Sequence, residues 1–339
     1  MKANTLEGIK WYVDEGAKGR AEPGICHSFM ASLATAINYI EGEVDPTRLM
    51  GASGFAFRIF MNKGLCPSAM SMFDFSAVLP EAVEQAGYRC RYVSRMWDEG
   101  ALEEQRREEA CAAIAEGIKQ GEPAIVWYVA DCEWGILKGY DDKRRTYAGL
   151  AHDGREVKLK YKKLGKNGID ILSVSIPGER NDRGREDVVR NSLEMAVDHA
   201  EQREYIDRPD YQNGLAGLEM WADVMDAGAK LAEAGKLSRC GKDALKFAEY
   251  YASCYCGARC YARDYLKSIT DGDKHLNKAA ACYEKVAADL RVVWECFTKS
   301  KRQWPESKTF KELAQSIREA KETEKQGIAF IKTYLGVDT

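Results

Sequence analysis

Cys26 is the residue in this chain best placed to act as a nucleophile. It follows Pro23-Gly24, which stops any preceding element. It opens a helical stripe in which Phe29, Leu33 and Ile37 recur every fourth residue, with Met30, Ala34 and Ile40 beside them. Unpaired N–H groups at a helix start carry partial positive charge and stabilise a thiolate. A cysteine so placed can fall from a pKa of about 8.5 into the reactive range. Its thiolate attacks an amide or thioester carbonyl and becomes acylated, while helix-start N–H groups hold the oxyanion. The plainer reading is packing, because cysteine is a common core residue and almost no charge interrupts Ile25 to Ile40.

A thiol nucleophile needs a base, and the chain has only four histidines. His27 adjoins Cys26, but neighbouring helical residues project about 100° apart, so it is expected to point elsewhere. His199 and His275 fall in helical stretches and are expected on polar surfaces. His152 has more to offer. If 133–140 and 145–152 form a hairpin through Asp141-Asp142-Lys143-Arg144, residue 140 faces 145. Counting back, Glu133 then faces His152.

Other chemistry-bearing groups point to packing or solvation. Cys256 and Cys260 share a helix face, but Cys254 lies about 200° from Cys256. Without a CxxC pair or a nearby histidine, no metal site is expected there. Lys158, Lys160, Lys162, Lys163 and Lys166 read as a solvated strand face guarding an edge. Asp131, Glu133, Asp141 and Asp142 read as turn residues. Gly51-Ala52-Ser53-Gly54 lacks the lysine and the preceding strand of a phosphate loop, and no cofactor is expected.

The elements that must position these groups follow from periodicity. The Cys26 helix runs to about Gly42. Helices are expected over Asp74–Ala86 and Ala101–Gln120, with a short strand over Tyr88–Val93. Pro123 to Val129 is a continuous apolar run suited to a buried strand. Strands over 133–140, 145–151, 157–161 and 169–176 follow. Pro177 to Arg185 is polar and turn-rich and marks a boundary between residues 1–178 and 185–339. The second part reads as helices 186–206, 214–234, 242–268, 275–299 and 307–335, with no strand and with Trp221 buried. The class is α+β, helices on an antiparallel sheet followed by an all-helical domain.

Composition narrows the setting. A chain of 339 residues exceeds one ordinary core. A net charge of −3 does not suggest a nucleic-acid or membrane partner. No run reaches the roughly 20 apolar residues that span a bilayer. The start, Met1 to Glu7, has no apolar core of a signal peptide. Eleven cysteines, an odd number, then read as reduced cytosolic thiols. The expected partner is a small-molecule or peptide substrate, and the oligomeric state is left open.

The order Pro-Gly-x-Cys helix start, further helices, apolar strand, then an aromatic-Gly strand ending Gly139-Tyr140-Asp141 resembles the papain-like cysteine peptidases of the bacteriocin-leader-processing type. It is closer to the butirosin-biosynthesis acyltransferase group, which has a similar N-terminal half and a helical C-terminal half. The resemblance covers residues 20–176, and Gly214 to Trp221 more weakly. It implies a papain-like N-terminal domain in which Cys26 matches the nucleophile and Glu122 to Val126 the strand before the base. The base histidine of such families falls at position 133, where this chain has Glu133 followed by Trp134. A carboxylate there disfavours a neighbouring thiolate. An exchanged arrangement keeps the chemistry, with His152 as base and Glu133, or Asp153, as orienter. His27 and Trp134 are the expected substrate contacts. The resemblance thus implies a cysteine-dependent hydrolase or acyltransferase, or a catalytically degenerate relative that binds a peptide or small metabolite.

Overall fold

The computed structural model describes residues 3–201, 209–237, 243–300 and 303–337. It is an α+β protein, 57% helical, with a seven-stranded antiparallel sheet. The chain divides into two compact units. One holds the sheet and comprises Met1–Asp14, His27–Leu49 and Asp74–Gly184. The other is mainly helical and comprises Glu15–Cys26, Met50–Phe73 and Arg185–Thr339. Two N-terminal segments, residues 15–26 and 50–73, thus group with the helices, and the last division falls between Gly184 and Arg185. Ile59, Met61, Leu65, Ala69 and Met70 of the second segment are buried in the helical core, and Glu22 of the first pairs with Arg263 and Arg291 of the helices.

In the sheet unit, β3 (Tyr88–Arg95), β4 (Ala124–Trp127), β5 (Trp134–Asp141), β6 (Thr146–Leu150), β7 (Glu156–Lys160) and β8 (Leu172–Arg180) lie in the order β3-β8-β4-β5-β6-β7. The short β1 (Ala3–Thr5) pairs with the far half of β5, a strand that period-two patterning is too short to reveal. Ile125, Val126, Ile136, Val174 and Ile176 are all inaccessible to solvent, as expected for strands covered by helices. Helix α2 (Ser28–Glu41) packs on β4 and β5. Its residues Ser28 to Ile37 are buried without interruption, which explains why no charge occurs there. Helix α4 (Phe75–Gln85) packs against β3, and its start is capped by Asp74, whose side chain accepts from Ser76 N and Ala77 N. Helix α5 (Glu103–Gln120) packs against β3 and β8.

Two short helices, α1 (Glu15–Gly19) and α3 (Pro46–Ala52), occur in the N-terminal part of the chain, and the helical unit also contains α6 (Arg185–Ala200), α7 (Gly214–Glu233), α8 (Ala244–Ser268), α9 (Lys274–Lys299) and α10 (Ser307–Leu335). The expectation of no strand after residue 186 fails at one place. β9 (Tyr211–Asn213) pairs with β2 (Phe60–Asn62), in the register Phe60↔Asn213. His199 is not on a polar surface either. It is 1% exposed, and Ile59 N donates to its Nε2 at 2.8 Å. Tyr255 holds the same ribbon, its hydroxyl accepting from Phe60 N at 2.9 Å. Trp221 is fully buried, as expected, among Met220, Met225 and Tyr255. At the centre lies an ion pair: Arg259, fully buried, donates to Glu324 at 2.8 and 2.9 Å and to the carbonyls of Ala56 and Arg58 at 3.1 Å. Cys254, Cys256 and Cys260 are buried packing residues of this core.

Candidate functional site

Cys26 lies just outside α2, with His27 as the N-cap residue and Ser28 as the first helical residue. It was expected near the first helical turn, and it stands two residues before that turn's first residue, where helix-start N–H groups act on it less than on a residue inside the turn. The thiol donates to Gly24 O at 3.5 Å, and the half-buried side chain packs against the core of the helical unit. Gly257 of α8 lets the Pro23-Gly24 backbone approach closely, since a Cβ there would stand 2.9 Å from Gly24 O.

Glu133 ends a tight loop from Tyr128. Tyr128 N donates to Glu133 O at 3.0 Å, and Glu133 N donates to Asp131 O at 2.7 Å. The Glu133 carboxylate accepts from Ser28 Oγ, and Ser28 Oγ in turn accepts from Trp134 N at 3.2 Å. Ser28 thus locks the start of α2 to the start of β5. Burial pushes the Glu133 carboxyl up, the Ser28 hydrogen bond and the His152 charge pull it down, and Asp131 pushes it up again. The net shift is upward.

The hairpin does not have the register counted from the sequence. Tyr140 faces Tyr147, and a bulge between Leu137 and Gly139 brings Ile136 opposite Leu150. His152 therefore lies past the end of β6, in a turn closed by Ala151 N to Arg155 O at 3.0 Å and Gly154 N to Ala151 O at 2.9 Å. It is not a ladder partner of Glu133. Its nearest carboxylate is Asp131, 3.9 Å from Nδ1, and its side chain is 40% exposed. Asp153 does not orient it: that carboxylate pairs with Arg155 at 3.0 Å, in solvent.

The expected substrate contacts fare differently. Trp134 is 1% exposed, and its ring packs against His27, Phe29, Phe75 and Trp127 at centroid distances of 5.6, 5.8, 5.1 and 4.3 Å. It is a core residue with no face left for a ligand. His27 is half-buried against it. Ser28 and Asp131 were missed as site residues: the Ser28–Glu133 contact spans 105 positions and the Asp131–His152 approach joins two separate turns, and neither leaves a local signal.

No protein-family model matches the chain, and no curated protein matches it. Among the described residues no three His, Cys, Asp or Glu side chains converge to hold a metal, and no helix is long and apolar enough to cross a membrane. The helical unit contains an apolar cavity of about 920 Å³. One face of α7, carrying Ala216, Met220, Val224 and Leu231, lines it opposite Ala248 and Phe310. Its size falls within that of small-molecule sites, about 300–1,000 Å³.

The raised carboxyl gives a pH prediction. A group held more protonated in the folded than in the unfolded chain makes stability fall as pH climbs from the unfolded value, about 4.3 for glutamate, through the folded one. Glu133→Gln keeps an acceptor for Ser28 and removes a half-buried charge. It is expected to melt at or above wild type at pH 7, with the difference vanishing by about pH 4. Thermal unfolding from pH 4 to 8 measures this. A variant markedly less stable at pH 7 would mean that the carboxylate's charge is used by the fold.

Proposed function

We propose that this chain is a papain-like protein that binds a peptide or small metabolite without turning it over. The observation that carries the reading is the occupant of the base position. Where the resemblance calls for an imidazole stands Glu133, half-buried and hydrogen-bonded to Ser28, two residues after Cys26. A papain-like thiol is activated by an oriented imidazole. The Cys26 thiol instead donates to the Gly24 carbonyl, a bond that a thiolate cannot make. The cavity of the helical unit supplies a volume suited to a small ligand.

A second reading keeps turnover. His152 lies near enough for its charge to lower the Glu133 carboxyl. With His152 as base and Glu133 as orienter, Cys26 would carry an acyl group as a thioester and pass it to water or an amine.

Alkylation of Cys26 separates the two. Iodoacetamide labelling from pH 6 to 9 is assigned by peptide mapping, since Cys66 and Cys132 are also exposed. The binding reading expects the wild-type profile to follow a free thiol, with His152→Ala changing the rate less than about twofold and Glu133→Gln speeding it at pH 7. The exchanged site expects fast labelling near pH 6, slowed at least about tenfold by either substitution. That second pattern would overturn the binding reading.

A further inference from the structure

The sheet unit carries a basic cleft of about 560 Å³ between the end of β4 and the strand β7 with the turn after it. Lys158, Lys160, Lys163 and Lys166 line it, and no described carboxylate does. Among the described residues only Lys166 of these four has a carboxylate within ion-pair distance, Glu103 at 2.6 Å. Glu156, on β7 itself, is taken by Lys138 at 2.6 Å. Three of the four lysines lining this cleft thus have no described carboxylate within ion-pair distance, and charges within about 8 Å of one another are only partly screened at physiological salt.

Guarding a sheet edge accounts for Lys158 and Lys160 on β7, but not for Lys163 and Lys166, which lie beyond the strand. Nor does it account for the shaped floor. Tyr128 has φ +60°, a conformation that bulky side chains keep only where the surroundings impose it. Its carbonyl accepts from Asn167 Nδ2 at 3.2 Å. Gly168 lies so close beneath the ring that a Cβ would stand 2.4 Å from the tyrosine hydroxyl. Both Asn167 and Gly168 line the cleft.

We propose that this cleft binds a small molecule bearing a diphosphate or triphosphate group. Such a group brings three or more negative charges, matches an array of ammonium donors, and leaves room in the cleft for a modest organic part. The volume is too small for a folded nucleic acid. The proposal does not depend on any role of Cys26.

The test is isothermal titration of the full chain with inorganic tripolyphosphate at 50 and 200 mM salt. Wild type is expected to bind at a single site, and more weakly at the higher salt. Lys158→Gln/Lys160→Gln/Lys163→Gln is expected to lose at least tenfold in affinity at an unchanged melting temperature. A control with the same change in net charge, Lys10→Gln/Lys236→Gln/Lys274→Gln, alters three exposed lysines elsewhere and is expected to lose less than twofold. No binding at 10 mM ligand, or equal losses in both variants, would overturn the proposal. Tighter binding of hexaglutamate than of tripolyphosphate would also overturn it, in favour of an acidic peptide.

Discussion

Arg259→Met is expected to destabilise the helical unit by about 3–5 kcal/mol, the usual cost of removing one partner of a buried ion pair. Arg259 is fully buried and Glu324 is 3% exposed. The substitution strands the Glu324 carboxylate with the Tyr283 hydroxyl at 3.3 Å and leaves the Ala56 and Arg58 carbonyls without their guanidinium donor. Methionine fills most of the volume, so the loss reports the charge and not a cavity. Adding Glu324→Leu removes the stranded charge, and the double variant is expected to recover about 1 kcal/mol or more over the sum of the single losses. Urea unfolding of the four chains measures both numbers. A single-variant loss under about 1 kcal/mol would show that water reaches and screens the pair.

Gly214→Ala is expected to cost about 2–5 kcal/mol, combining left-handed backbone strain with overpacking. Gly214 has φ +56°, and a Cβ there would stand 2.2 Å from His199 O and 2.8 Å from Ala200 O. Those are backbone atoms, which no rotamer change can move aside. Gly235→Ala separates the two contributions, since Gly235 has φ +63° and nothing within 4 Å of its Cβ position. It is expected to cost only the conformational part, about 1–2 kcal/mol. Equal losses in the two variants would mean that the turn from β9 into α7 gives way to the methyl group.

What could be read in the sequence follows the length over which a signal repeats. Helices α7 to α10 begin and end within two residues of their expected bounds, because long apolar stripes are punctuated by Gly235, Asp273 and Pro305. The strands from β4 to β8 were legible for a similar reason, as apolar or alternating runs. β1, β2 and β9 have three residues each, too few to show a period. The hairpin register was miscounted at its turn, because Asp141 still pairs with Thr146 and Tyr140 with Tyr147, two residues beyond the count, and the bulge near Lys138 then takes back one of the two. Cys26 and Glu133 were found from their places in a motif. Ser28, which fixes Glu133, and Asp131, which faces His152, could be found only in three dimensions. His199 was misread because a polar residue on a helix gives no sign that a distant peptide N–H awaits it.

Because residues 15–26 and 50–73 group with the C-terminal helices, the helical unit cannot assemble until the second half of the chain has been made. β2 leaves the ribosome early but finds its partner β9 only after roughly 150 more residues have been added, at about 5–20 residues per second. For about 8–30 s the nascent chain holds Phe57, Ile59, Phe60 and Met61 without the helices that will bury them. Neither unit is one continuous stretch of gene, so neither can be expressed by simple truncation at residue 178 or 185. A polypeptide ending there would release the N-terminal half with its apolar loop uncovered, a natural client for a chaperone.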